Sequence, residues 1–550
     1  LAGQFDNLFF SFIFYYIQSI ISLYRGYISQ AKGIYYLFMK NNKQEHYQAI
    51  LSISKRAAIY NSVQSLLEWD QETYMPAEAI EFRGMQTEAM ASLVHQQRTS
   101  PEFGKALGQL IDLSTGQILD NNLSTAQQAA LREWRRDYMK NIKLPEDFVQ
   151  DWAKTTSQAI HVWEKSKQKD DFNTFAPHLA KIVELNRQKA DLLGYEEHPY
   201  DALLDLYEPE AKTSLIDTLF TRLKEPLQKQ LKQIKASRTY QSSLEAHDLL
   251  KTKFPIDKQW QFAQRLLQAL EFQPQKSRID QSAHPFCLTI APNDVRMTST
   301  VTENSLLPHL FAVLHEAGHA IYSEGLPTEH YGSPLGEDVS LSIHESQSRW
   351  WETRIGHTKA FWNHFYPELQ VYFPDPFQSL SLDQFYGLIN TVKPSLIRIH
   401  ADEVTYNLHI ILRFELEKAL IEGQLKVQDL PEAWNAKMQE YLGITPTRHA
   451  EGCLQDIHWS MGAFGYFPTY TLGNLYAAQF FMAFEQKYPQ WQTDVAQGKL
   501  GFIRDWLKEQ IHQYGRQYTS QEIIQRVTGQ TLDEKPFLNY LTQKYTEIYP

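Results

Sequence analysis

From residue 39 onward, apolar residues recur every three or four positions, the period of an amphipathic helix. "YQAILSISKRAAIYNSVQSLLEW" (47–69), "LIDTLFTRLKEPLQKQLKQI" (215–234) and "IRIHADEVTYNLHIILRFELEKALIEG" (397–423) hold that period over many turns. The last predicts one helix closing at Gly423, a residue suited to a helix C-terminus. Apart from Pro226, prolines and glycines fall at the ends of or between such segments. One stretch departs from the pattern: "FCLTIAPNDVRMTSTV" (286–301) has two β-rich runs around the turn residues "APND", which predicts a short hairpin. The pattern therefore predicts a mainly α chain with a small sheet.

The first 38 residues read differently. "NLFFSFIFYYIQSIISLY" (7–24) carries no charge, and "GIYYLF" follows at 33–38. The run reaches the lower edge of a membrane span but lacks the basic leader of a signal peptide. The first reading is an extension outside the working protein, with "MKNNKQEHYQAIL" from Met39 resembling a natural start. A membrane anchor through residues 8–24 is the second reading, and a buried helix the third. Were it an anchor, Arg25, Lys32, Lys40 and Lys43 would favour a cytoplasmic body.

Composition narrows the class. With 550 residues, 43% apolar and 21% charged, the chain reads as a soluble globular protein. No repeat, low-complexity stretch or rich linker divides it, so 39–550 is expected to be one unit. A net charge of −11 argues against a nucleic-acid partner. Two cysteines, Cys287 and Cys453, cannot build a disulfide framework or a cysteine metal site. This fits a reducing compartment, and a cytoplasmic location is expected.

Chemistry enters at "LFAVLHEAGHAIYSEG" (310–325). Leu310, Phe311, Leu314, Ala317 and Ile321 keep helical spacing, with Pro308 in the first turn and Gly325 at the end. Positions four apart share a helix face, so His315 and His319 can aim at one ion. Glu316 projects beside them and can reach a water held there. This is the HExxH pattern of zinc sites. A catalytic zinc wants a third protein ligand and an open position. Tyr322 and Gly325 stand where one HExxH class has a glycine and a third histidine, which excludes that class. Glu324, Glu329, His330, Glu337, Asp338, His344 and Glu345 are the remaining candidates. Glu324 sits too close on the same helix, and 329–338 fall in a Gly/Pro loop. Glu345 lies on the next predicted helix, "VSLSIHESQSRWWETRIG" (339–356), and is the preferred ligand. His344 suits a hydrogen bond behind the ligands. Zinc would acidify its water to a pKa of about 7, and Glu316 would take the proton. The implied reaction is metal-assisted peptide hydrolysis.

Six ordered segments go further: "HPF" (284–286), "DVRMT" (294–298), "HEAGH" (315–319), "HESQ" (344–347), "RIHAD" (398–402) and "GCLQDIHW" (452–459). With "WDQETYMP" (69–76), "YDALLDLYEP" (200–209) and "GYFPTYTLGNLYAAQ" (465–479), the chain resembles the carboxypeptidase Taq family of metallocarboxypeptidases over 45–550. The resemblance implies one zinc ion, sometimes Co2+, on His315, His319 and Glu345, with Glu316 as the base. It implies release of single residues from free peptide C-termini with broad preference. It also implies a two-lobed helical body with a deep groove, and a homodimer. The first 38 residues depart from the family.

An exopeptidase must read a terminal carboxylate, best done by an arginine fork. Arg398 is the preferred reader, with Arg448 and Arg296 behind it. The structural alternative for Arg398 is an ion pair with Asp402, four residues on in the predicted helix. Tyr470, Tyr466 and His458 are candidate donors to the developing oxyanion, Tyr470 first. His284 is expected to line the groove, and Asp456 to orient His458 or cap a helix. Two other functions stay open: a helical zinc endo-oligopeptidase with the same triad, and a non-catalytic, membrane-tethered binding protein.

Overall fold

The computed structural model describes residues 43–550 except Asn121. The expectations for 1–38, including the apolar run at 7–24, lie outside the described residues. Among the described residues no helix is long and apolar enough to cross a membrane.

Among the described residues the chain is mainly helical around two hydrophobic cores. The smaller core joins Tyr47, Ile50 and Ile53 of the first helix (α1, 43–73) to Phe103, Leu107, Leu131 and Trp134. Leu335, from the loop behind the HEAGH helix, fills its other side. The larger core takes in nearly everything from Ala159 to Tyr549. The end of α1 is also clasped to the body. The Trp69 face lies 4.3 Å from the Arg296 guanidinium, and the Tyr74 hydroxyl donates to Asp280 at 2.5 Å.

The hairpin forms as the pattern predicts: β2 (Cys287–Ala291) pairs antiparallel with β3 (Asp294–Ser299). Asn293 takes the left-handed conformation, φ 63°, at the turn, which asparagine tolerates better than most residues. The sheet has a third strand that the pattern missed, β1 (Ser277–Gln281), parallel to β3. "SRIDQ" offers a single large apolar residue, too few for a period of two to stand out.

The sheet packs on the HEAGH helix, α2 (Leu306–Gly325). The next helix, α3 (Leu341–Arg349), starts at Ser340, whose hydroxyl accepts from the Ile343 N–H at 3.1 Å. It runs on as a π-helical stretch, Trp350–Gly356. Two glycines let three backbones converge here. A Cβ on Gly318 would stand 2.5 Å from the Gln347 carbonyl, so α2 and α3 touch backbone to backbone. A Cβ on Gly473 of α5 (Pro468–Lys487) would stand 2.6 Å from Glu345 Cγ.

The predicted helix 397–423 needs correction. The α-helix, α4, spans Tyr406–Glu422 and does end at Gly423 in the left-handed conformation. Residues Arg398–His400 form a separate 3-10 turn. Asp402 breaks the run: its carboxylate accepts from the N–H groups of Lys393, Val404 and Thr405, a local turn that competes with helix.

Candidate metal centre

His315 and His319 stand one turn apart on α2, as the spacing requires, and Glu345 enters from α3. Glu345 Oε2 is 3.7 Å from His315 Nε2 and 3.6 Å from His319 Nε2. All three donor atoms lie within 4.8 Å of one another. The edge of a tetrahedron about zinc with such ligands is about 3.4 Å, so two nitrogens and one carboxylate oxygen fit a tetrahedral divalent ion with one position left over.

The second ring nitrogens fix the orientation. His315 Nδ1 meets Glu352 Oε2 at 2.8 Å, and His319 Nδ1 meets His344 Nδ1. Each bond turns Nε2 toward the shared point. His344 thus contacts the His319 nitrogen that faces away from the shared point. Glu352, on the π-helical stretch, was missed. It is held in turn by Arg349 Nη1 at 2.7 Å, and Arg349 Nε donates to Asn474 Oδ1 at 2.8 Å. Burial opposes the charge of Glu352, but Arg349 and His315 prevail and hold its carboxyl at about 2. A readable signal existed: Glu345, Arg349 and Glu352 follow at spacings of four and three, one helix face. The rejected ligands have other partners. Glu324 accepts from the Ser277 hydroxyl, and Glu337 pairs with Arg516 at 3.1 Å.

Glu316 is buried at 6% exposure. Burial pushes its carboxyl up to about 7, with His315 opposing and Glu345 adding to the rise. A carboxyl poised there can both accept and return a proton near neutrality. Burial lifts the Cys287 thiol well above its usual range, and Glu316 and Glu324 add to this. It therefore stays a thiol beside Glu316.

A second charged cluster lies across a set of tyrosines. Arg398 is buried, and its partner is Asp456, not Asp402: Nε and Nη2 reach Asp456 Oδ1 at 3.0 and 2.9 Å. Arg398 Nη1 donates to the Tyr406 hydroxyl at 3.1 Å, and the guanidinium lies 4.9 Å from the Tyr470 ring centre. The Tyr470 hydroxyl and His458 Nε2 are 3.1 Å apart. Burial, then Arg398, lowers His458 to about 3, so its imidazole is neutral. Burial raises the hydroxyls of Tyr406, Tyr466 and Tyr470, and the Glu345 carboxylate adds to each. All three remain protonated donors within electrostatic reach of the triad.

The other predicted residues lie elsewhere. Arg296 makes a two-armed pair with Asp294 at 2.9 and 3.0 Å and stacks on Trp69. That is a structural clasp of the sheet. Arg448 is half exposed and pairs with Asp170 at 3.8 Å rather than joining Asp456. His284 is exposed. The "HPF" and "DVRMT" segments form one piece, because Phe286 and Thr298 exchange backbone and hydroxyl hydrogen bonds at 2.8 and 3.1 Å. Asp456 neither caps a helix nor bonds His458; it pairs with arginines.

Residues 49–545 match the family described as carboxypeptidase Taq (M32) metallopeptidase. Thermostable carboxypeptidase 1 of Thermus thermophilus is 40% identical over 513 residues, covering 92% of this chain and 99% of that protein. Carboxypeptidase 1 of Bacillus subtilis is 37% identical, covering 90% and 97%. The crystal structure of the M32 carboxypeptidase from Deinococcus radiodurans superposes with a TM-score of 0.86 at 33% identity, covering 92% and 99%.

Proposed function

The chain belongs to the carboxypeptidase Taq (M32) family and is a metallocarboxypeptidase, and from that premise we propose that it uses one zinc ion to release single residues from free peptide C-termini. His315, His319 and Glu345 would hold the ion, with cobalt as a substitute. When bound, the ion supplies Lewis acidity to the scissile carbonyl and acidity to water.

The chain's own residues supply the rest. Glu316 takes a proton from the attacking water and passes it to the leaving amine. Arg398 anchors the terminal carboxylate, which sets the scissile bond one residue inward. Tyr470, with Tyr466 beside it, donates toward the oxygen that gains charge, and His458 positions the Tyr470 hydroxyl. A reader that grips only the terminal carboxylate leaves the side chain largely unread, which supports broad preference. A cytoplasmic location and a homodimer belong to the same proposal; the cysteine content supports the first and the family resemblance the second.

One observation carries the reading. A convergent two-histidine, one-carboxylate donor set and a buried arginine act on the same three tyrosines, Tyr406, Tyr466 and Tyr470, which feel both Glu345 and Arg398. Timed product analysis on one long peptide, with and without chelator, tests it. The expected result is stepwise loss of single C-terminal residues, stopped by the chelator and restored by zinc. Internal fragments appearing first would favour the endo-oligopeptidase, and chelator-insensitive cleavage would refute the metal role.

A further inference from the structure

α4 contributes a second guanidinium that lies outside the six segments. Arg413 is fully buried. Its Nε donates to Asp456 Oδ2 at 2.8 Å, its Nη2 stands 2.6 Å from the same oxygen, and its Nη1 donates to the His409 carbonyl at 2.8 Å. Arg398 holds the other oxygen, Oδ1. Phe467 lies under both guanidiniums, 5.7 Å from that of Arg398 and 5.4 Å from that of Arg413, and Trp434 stacks 4.5 Å from Arg413.

One carboxylate thus faces two permanent cations. The groups around them do not restore balance. Burial lowers His409 and His458, so both are neutral. Lys167 reaches the Gln455 carbonyl at 2.8 Å and adds positive charge. Glu417, one turn beyond Arg413, accepts from Tyr200, Trp459 and Gly465 and feels the Arg413 guanidinium, but burial pushes its carboxyl up to about 7, so it answers the excess only in part. Arg398 has five N–H donors, of which one on each terminal nitrogen is left after Asp456 and Tyr406.

We propose that Arg413 is a positioning residue for C-terminal specificity: by occupying Asp456 Oδ2 it keeps Asp456 from cancelling Arg398, and the uncancelled charge selects a carboxylate over an amide. This rests on the reading of Arg398 as carboxylate reader. A carboxylate entering this buried site gives up its hydration, and a neutral arginine–aspartate pair returns little of that loss. A cluster with positive charge to spare returns much more.

The test compares KM and kcat for a free-acid peptide with the inhibition constant of the same peptide ending in an amide. Arg413→Met should raise KM for the acid at least about tenfold, while kcat and the amide constant move less than about threefold. Arg413→Lys, which keeps the charge, should retain most of the preference. R413M/D456N removes one charge of each sign and should recover the acid-to-amide ratio, which no packing role would do. An unchanged ratio in Arg413→Met at full zinc content, or equal weakening of acid and amide without recovery in the double variant, overturns the proposal. Should Arg413→Met not fold, Asp456→Asn alone decides: KM for the acid at or below wild type supports the proposal, and a rise matching Arg398→Met overturns it. Failure of the Arg398 reading shows separately, as an unchanged ratio in Arg398→Met.

Discussion

The two ends of the site are buried charge clusters of opposite excess. At the metal end, the carboxyls of Glu316, Glu345 and Glu352 gather around His315, and Arg349 pairs with Glu352. At the other end, Arg398 and Arg413 share Asp456. Each end would be costly to bury by itself, and on the proposed function each would be completed by a ligand of opposite charge: a divalent cation at one, a peptide carboxylate at the other. Tyr406 stands between them. Its ring faces the Arg349 guanidinium at 5.4 Å, and its hydroxyl accepts from Arg398 at 3.1 Å. On the proposed function, the difference teaches that catalytic register would come from the separation of two opposite charge clusters, one carried by α2 and α3 and the other reached through Arg413 of α4. α4 also supplies Asn407, which bonds Asn474 at 3.1 Å behind Arg349.

The comparison breaks most sharply at the base. Glu316→Gln keeps the three ligands and removes the proton acceptor, so kcat should fall by about a thousandfold or more with metal content unchanged by elemental analysis. Near-normal turnover would assign the base elsewhere.

A smaller effect concerns the scaffold of the positive end. Glu417 holds the loop carrying Asp456 and His458 through Trp459 Nε1 at 2.8 Å and the Gly465 N–H at 3.0 Å. Burial lifts its carboxyl from the ordinary 4.5 to about 7, against the pull of its hydrogen-bond donors. A raised carboxyl favours the fold while protonated. Its contribution is therefore full below pH 4.5 and is lost as pH climbs toward 7. The urea stability of the native protein minus that of Glu417→Gln should fall by about 3 kcal/mol between pH 5 and pH 8. A flat difference would mean that Glu417 is ionised throughout.

Smaller still is the support behind the metal end. Glu352→Gln keeps the shape but weakens the grip on His315 Nδ1, so ion affinity by chelator competition should drop about tenfold to a hundredfold. An unchanged affinity would make the Glu352 contact incidental.

How far the sequence reaches differs between the two ends for the same reason that they differ in charge. The metal end is local: His315, Glu316 and His319 share one helical turn, and Glu345 opens the next helix, so periodicity finds them. Even Glu352 lies on that helix face. The positive end is tertiary. Arg398 has a local acid, Asp402, which helical spacing favours as a partner, yet Asp402 is taken up by backbone N–H groups and the true partner is 58 residues away. Arg413 carried a signal that went unread. His409, Arg413 and Glu417 recur every four positions of α4 among Leu408, Ile410, Ile411, Leu412, Phe414 and Leu416, and all three are fully buried. Such a polar stripe inside an apolar run marks a buried network. β1 was illegible because its stability comes from pairing with β3 rather than from its own side chains.

The central claim is that the positive end reads the free C-terminus while the metal end cuts. Its most direct measurement is cleavage of a matched pair of peptides, one with a free C-terminus and one amidated, by the native protein and by Arg398→Ala. The native protein should strongly prefer the free acid, and the variant should lose that preference mainly through KM. Equal weakening toward both peptides would contradict the account and leave Arg398 as a structural ion pair.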